Sequence, residues 1–163
     1  MSGILAIVGL LALPAAATAP PPTFAQQVQG TWRLVSYERR EKGADAWTRR
    51  FGDNPKGYIM YDGTGHMMVE FEKMPPPPKF ASGDDWEPTA DEARAAYLGY
   101  IAYFGTYTVD EAAHAVTHHV EGSLNPSYFG TDQLRPARLE GDRLTLSDEK
   151  TFRVVWERVR PKP

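Results

Sequence analysis

Residues 117–135, THHVEGSLNPSYFGTDQLR, gather the densest hydrogen-bonding and titratable chemistry of the chain into one stretch: His118, His119, Glu121, Asn125, Gln133 and Arg135. An imidazole beside a carboxylate can move protons, so His118, His119 and Glu121 are the catalytic candidates. The amides and the guanidinium could instead orient a polar end of a bound molecule. Adjacent residues on a strand point to opposite faces, so both histidines reach one ligand only if a bulge intervenes. Two registers compete. Either Val116, His118 and Val120 face inward, leaving His119 and Glu121 as an outer pair, or Thr117, His119, Glu121 and Ser123 face inward as a polar stripe. Hydrophobicity favours the first.

A buried imidazole needs a partner, because an unpaired buried polar group costs about 1–3 kcal/mol. Gln133 and Arg135 on the next strand can supply one by cross-strand pairing. Tyr58, Tyr107 and His66 are candidate donors around a rim. The same residues could also satisfy one another and simply pin the Asn125-Pro126 turn. No metal is expected. His119 and Glu121 share a face and His66 could join them, yet zinc takes three or four ligands and no further pair stands at short spacing. No G-x-S-x-G, H-E-x-x-H, phosphate loop or dinucleotide glycine motif occurs, so no cofactor is expected either.

The elements that must position these groups read as β-structure. The 163 residues suit one domain, and 42% hydrophobic with 12% aromatic residues can fill a core. A net charge of −3 gives no reason to expect nucleic acid as partner. No cysteine is present, which removes disulfides and thiolate chemistry. Residues 1–25 carry no charged side chain and have an apolar run from Ile4 to Leu13. That pattern reads as a signal peptide, cut after Ala17 or after Ala25, or else as a disordered leader. The run is too short for a transmembrane span, and export would place the protein in the periplasm or outside the cell. The oligomeric state has no signature.

From residue 30 to 160, short β-branched and aromatic runs alternate with Gly, Pro and Asp turns. GTWRLVSYERR would put Trp32, Leu34 and Ser36 on one face, Val35 and Tyr37 on the other. GYIMYDGTGHMMVEFEK is a hairpin around Asp62-Gly63-Thr64-Gly65. TADEARAAYLGYIAY predicts one helix, about 89–103, capped by Thr89 with Glu92 closing a capping box; Tyr97, Leu98, Ile101 and Phe104 would line one side. Pro136 should sit at a bulge or an edge. Eight strands in sequential order predict an up-and-down antiparallel barrel, with a two-sheet sandwich as the other arrangement.

GTW at 30–32 and WER at 156–158 resemble the two ends of calycin barrels, which implies Arg158 packed over Trp32 to close the bottom. GTWRLVSYE, NPKGYIMYDGTGHMMV, FGTYTVD, VTHHVEGSLNPSYFGTDQLR, LEGDRLTLS and VVWERV are together similar to the lipocalin-like domain family of mostly bacterial proteins, across residues 30–159. The resemblance implies a calycin-type barrel and hands over no reaction. The expected function is binding of a small, largely apolar ligand. Trp32, Leu34, Met60, Met67, Val69, Phe71, Phe104 and Trp156 would form its walls, and His118 or His119 with Gln133 and Arg135 would orient it. The alternatives are an isomerase or cyclase using a barrel histidine as acid–base, and a structural domain without ligand.

Overall fold

The computed structural model of the chain describes residues 19–161. Most of the expected leader, residues 1–18, lies outside them. A short helix α1 (Phe24–Val28) leads into eight strands: β1 (Gly30–Arg39), β2 (Lys56–Tyr61), β3 (His66–Glu72), β4 (Tyr100–Asp110), β5 (Ala115–Ser123), β6 (Asp132–Glu140), β7 (Arg143–Ser147) and β8 (Phe152–Arg158). A helix α2 (Ala90–Gly99) interrupts the meander between β3 and β4. Each strand pairs antiparallel with the next, and β8 pairs back with β1 to close the barrel. The fold is all-β and up-and-down, and closure leaves no strand edge to attract other chains.

Connections divide by end. Tight turns join β2 to β3, β4 to β5 and β6 to β7 at one end. In the first, Asp62 accepts from the backbone of Thr64 and His66, and Gly65 takes φ 92°. At the other end run the 40–55 loop, the proline stretch with α2, a 3-10 turn at Pro126–Tyr128, and the turn after Ser147.

The tight-turn end is plugged. Thr23 and Gln26 form a capping box on α1, and Glu111 accepts from the N–H groups of Phe24 and Ala25 at 2.8 Å each. Phe24 stacks on the exposed His114 ring at 4.8 Å. Val28 and Trp32 are fully buried, and Trp32 Nε1 donates to the Val28 carbonyl at 2.8 Å. Arg158 Cζ lies 4.0 Å from the Trp32 ring centroid, and its guanidinium donates to the carbonyls of Gln29, at 2.8 Å, and Gln27.

Four details differ from the sequence reading. Strand β1 carries a bulge between Leu34 and Ser36, with Val35 as the extra residue. The slip carries Tyr37, rather than Ser36, to the inside with Trp32 and Leu34, since one extra residue reverses the alternation. The helix ends at Gly99, and Tyr100–Phe104 belong to β4, because pairing with β3 overrides helical continuation there. The Thr89–Glu92 capping box is present; Tyr97, Leu98 and Phe104 are largely exposed rather than lining a core. Met60 and Phe104 face outward and form no part of the walls, each alternating with an inward neighbour, Ile59 and Tyr103. The Phe104 ring crosses Gly122, where a Cβ would come within 2.4 Å of it. Pro136 sits at neither bulge nor edge. It pairs with Ala115 just before β6 meets β7 at Ala137, so its missing N–H leaves no ladder position empty.

Candidate functional site

The loop-rich end opens into a cavity of about 240 Å³. Inward residues of β1, β3, β4, β6 and β8 form its walls: Arg39, Val69 and Phe71, Ile101 and Tyr103, Gln133 and Arg135, Phe152, Val154 and Trp156. The bulge in β1 sends Arg39 there, two residues beyond Tyr37. A second cleft of about 120 Å³ shares Tyr37, Arg39, Ile101 and Tyr128 with the cavity, and adds Arg50 and Phe51 of the long loop and Tyr97 and Leu98 of α2. It stands as a vestibule between the cavity and the loops.

Apolar side chains and polar atoms share the cavity surface about equally. Arg135 lies over the Phe152 ring, with Cζ 4.9 Å from its centroid, and donates to Gln133 Oε1 at 3.1 Å. Gln133 donates in turn to Thr131 Oγ1 at 2.7 Å. Contact with the Tyr37 hydroxyl raises the Arg39 pKa, against the opposing effect of burial. Trp156 is 1% exposed, and its Nε1 has no hydrogen-bond partner among the described residues.

His118 occupies the floor, fully buried, on the same inward face as Val116 and Val120. Its Nε2 lies 2.7 Å from the Tyr61 hydroxyl and its Nδ1 lies 3.0 Å from the Tyr103 hydroxyl. Burial pushes the imidazole well below its ordinary pKa, and the nearby Arg135 charge adds to this. Burial pushes both phenols up, Tyr61 strongly, while Arg135 works the other way on each. The group is therefore a neutral imidazole between two neutral phenols. Tyr107 meets Tyr61 edge-on at 4.9 Å and Tyr128 meets Tyr103 edge-on at 6.0 Å, so an aromatic column runs from the plugged end to the vestibule.

Of the polar residues singled out in the sequence, the cavity brings together His118, Gln133 and Arg135, and of the expected walls Val69, Phe71 and Trp156. Asn125 lines the vestibule, where its Oδ1 caps the 3-10 turn by accepting from Ser127 N at 3.0 Å. Tyr107 points to the plugged end and donates to the Asp62 carbonyl at 2.7 Å. The rest lie apart. Tyr58 is 45% exposed on the outer wall, because Ile59 takes the inward position. His66 is exposed in the hairpin turn, bonded to Thr64.

His119 faces out, its Nδ1 2.7 Å from Asp132 Oδ1 and its Nε2 3.0 Å from Thr108 Oγ1, so Asp132 and not Glu121 is its outer partner. Glu121 is the extra residue of a bulge in β5 and is exposed. The Asp132–His119–Thr108 row has the order of a proton relay, yet it lines neither the cavity nor the vestibule. Among the described residues no cluster of three His, Asp or Glu could hold a metal ion.

Sequence reasoning took Arg39 for an ordinary solvated charge, whereas it lines the cavity, and gave Tyr61, Tyr103, Tyr128 and Phe152 no role at the site. Tyr61 and Tyr103 had a usable signal, since alternation from Ile59 and from Ile101 turns both inward. Arg39 had none, for it depends on the bulge at Val35.

In sequence, a 4'-hydroxy-3'-methoxypropiophenone carrier protein of Aspergillus oryzae is 37% identical over 75 residues, 42% of this chain and 63% of that protein. The match thus spans less than two thirds of the relative's length. Among solved structures, a mutant of the fluorescent protein UnaG is similar over 83% of this chain and 98% of its own, at 15% identity and a TM-score of 0.35, a likeness too loose to carry an argument. The family model of the lipocalin-like domain matches residues 29–161, from the residue before β1 to beyond β8, and the chain belongs to that family.

Proposed function

We propose that the protein is a carrier that holds one small, largely apolar aromatic molecule in the barrel cavity. The observation that carries this is the cavity itself, with the rings of Phe71, Phe152 and Trp156 among its walls and Gln133 and Arg135 on one side. The relative's printed name supports the class, since a hydroxylated and methoxylated aryl ketone is the cargo it names. An isomerase or cyclase would need an imidazole free to take a substrate proton. His118 has both nitrogens engaged by tyrosines and His119 faces away, so the binding reading is the one the geometry favours. Thermal-shift measurements with 4'-hydroxy-3'-methoxypropiophenone, related phenolic ketones and fatty acids test it. A ligand at a hundred times its Kd adds about 2.7 kcal/mol to stability. Aromatics should raise the melting temperature and competing apolar chains should not. No shift with any aromatic sinks the reading.

We also propose export to the periplasm or beyond, on the uncharged, apolar character of residues 1–25. Among the described residues no helix is long and apolar enough to cross a membrane. Thr23 and Phe24 belong to the plugged end, so the mature chain should begin after Ala17 rather than after Ala25. Mass spectrometry of the protein from fractionated cells reads the mature terminus; a chain retaining Met1 in the cytoplasmic fraction overturns the proposal.

A further inference from the structure

The cavity walls present cations and donors and no carboxylate. Arg39 and Arg135 line it, and among the described residues no Asp or Glu does. Every ion pair among the described residues is made by other side chains. Arginine in a partly buried wall keeps its charge at any ordinary pH, so these walls are positive, and neither guanidinium is ion-paired, although Glu41 lies near enough to act on Arg39.

The hydrogen-bond order at the floor adds a further donor. A neutral imidazole has one N–H and one lone pair. If Nε2 held the proton, it would donate to Tyr61, and the Tyr61 hydrogen would be stranded, since His118 is the sole partner of that buried hydroxyl among the described residues. The reverse order leaves no hydrogen stranded against the packed floor: Tyr61 donates to Nε2, Nδ1–H donates to the Tyr103 oxygen, and the one hydrogen left over belongs to Tyr103, which lines the cavity. The buried Trp156 N–H, in a strand across the cavity, has no acceptor among the described residues. Arg39, Arg135, Tyr103 and Trp156 thus all ask for oxygen atoms, and the two arginines ask for a negative one.

We propose that the cargo is a small aromatic acid bound as its carboxylate, the anionic oxygens held by Arg135 and the Tyr103 hydroxyl, with Arg39 as the second positive charge towards the vestibule. The proposal rests on the carrier reading and sharpens its ligand class. The column behind it, Tyr61–His118–Tyr103, acts as a fixed donor relay: it sets which way one hydroxyl points and transfers no proton.

Calorimetric titration of the whole mature protein with vanillate and with its uncharged methyl ester separates the two readings. Charge-assisted hydrogen bonds in such a site correspond to about a tenfold to hundredfold change in affinity, and vanillate should bind tighter than the ester by that factor. Arg135→Met should weaken vanillate to the level of the ester, and Arg135→Lys should restore part of the preference. Arg39→Met should reduce the preference by a smaller factor, which keeps the test open should Arg135→Met fail to fold. If the ester binds as tightly as the acid, or if Arg135→Met folds and keeps the preference, the acid proposal falls and the carrier reading stands. If neither compound nor 4'-hydroxy-3'-methoxypropiophenone binds, both fall together.

Discussion

Trp32 and Trp156 stand on neighbouring strands of one barrel, 0% and 1% exposed, and their indole N–H groups are in opposite states. The first donates to a buried carbonyl of α1 at 2.8 Å; the second has no partner among the described residues. The arginines repeat the contrast. Arg158 lies on an indole and donates to two backbone carbonyls, while Arg135 lies on Phe152 and donates to the Gln133 amide oxygen. At the plugged end the fold consumes its own polar groups, and at the open end it leaves them turned to a cavity. Satisfaction stabilises, and its lack marks the place where the proposed ligand would bind.

The contrast is broken most directly by making the same change on both sides. Trp32→Phe removes the donor to the Val28 carbonyl, strands that carbonyl in the core and leaves a gap where the larger ring packed. The expected loss is about 2–4 kcal/mol in urea denaturation, the sum of an unsatisfied buried acceptor and a partial cavity. A loss no larger than that of Trp156→Phe would show that the plug does not depend on its hydrogen bond.

Arg158→Met tests the second pair. It keeps much of the apolar stem and loses the cation–π contact and both carbonyl bonds, for an expected cost of about 2 kcal/mol. Arg135→Met should cost the unliganded protein less, about 1 kcal/mol, because it loses one side-chain hydrogen bond and its place over the Phe152 ring but no buried backbone contact. Equal melting temperatures for the two variants would erase the distinction between the ends.

The floor residue His118 belongs to the packed side of the comparison, and pH reads it. Its folded-state pKa is depressed by burial, so above the unfolded value near 6.5 neither state holds the proton and stability is complete. Below that value the unfolded chain takes up a proton that the folded chain refuses, and stability falls as pH drops towards the folded value. The slope is at most about 1.4 kcal/mol per pH unit. Denaturation at pH 7, 6 and 5 should show it, and His118→Gln should flatten it. An unchanged slope in that variant would place the titration elsewhere.

What the sequence made legible follows the range of the forces involved. The Thr89–Glu92 cap and the Asp62–Gly65 turn are decided within a few residues, and both were readable. The order of eight strands was readable because alternation and turn residues repeat along the chain. The TFAQ capping box before α1 was equally local and was masked by reading residues 1–25 as one leader. The bulges at Val35 and Glu121 have no local mark, since each is a compromise between two strands closing a barrel. Everything beyond them in register was hidden too, Tyr37 and Arg39 above all. Hence the floor of the site, His118 with Gln133 and Arg135 one strand away, could be proposed from alternation alone, whereas the mouth could not.

Trp156→Phe carries the smallest expected effect and the sharpest meaning. The substitution deletes part of a packed ring, which destabilises, and also deletes a buried donor without an acceptor, which relieves a desolvation penalty of about 1–3 kcal/mol. The two nearly cancel, so unliganded stability should change by less than about 1 kcal/mol, well below the Trp32→Phe loss. Ligand affinity should nonetheless fall if an oxygen of the cargo accepts from the indole. Calorimetry of this variant against the wild type therefore reads the orphan N–H directly: unchanged binding would make Trp156 a packing residue like its neighbour Leu144, and the open end would owe its selectivity to the arginine wall alone.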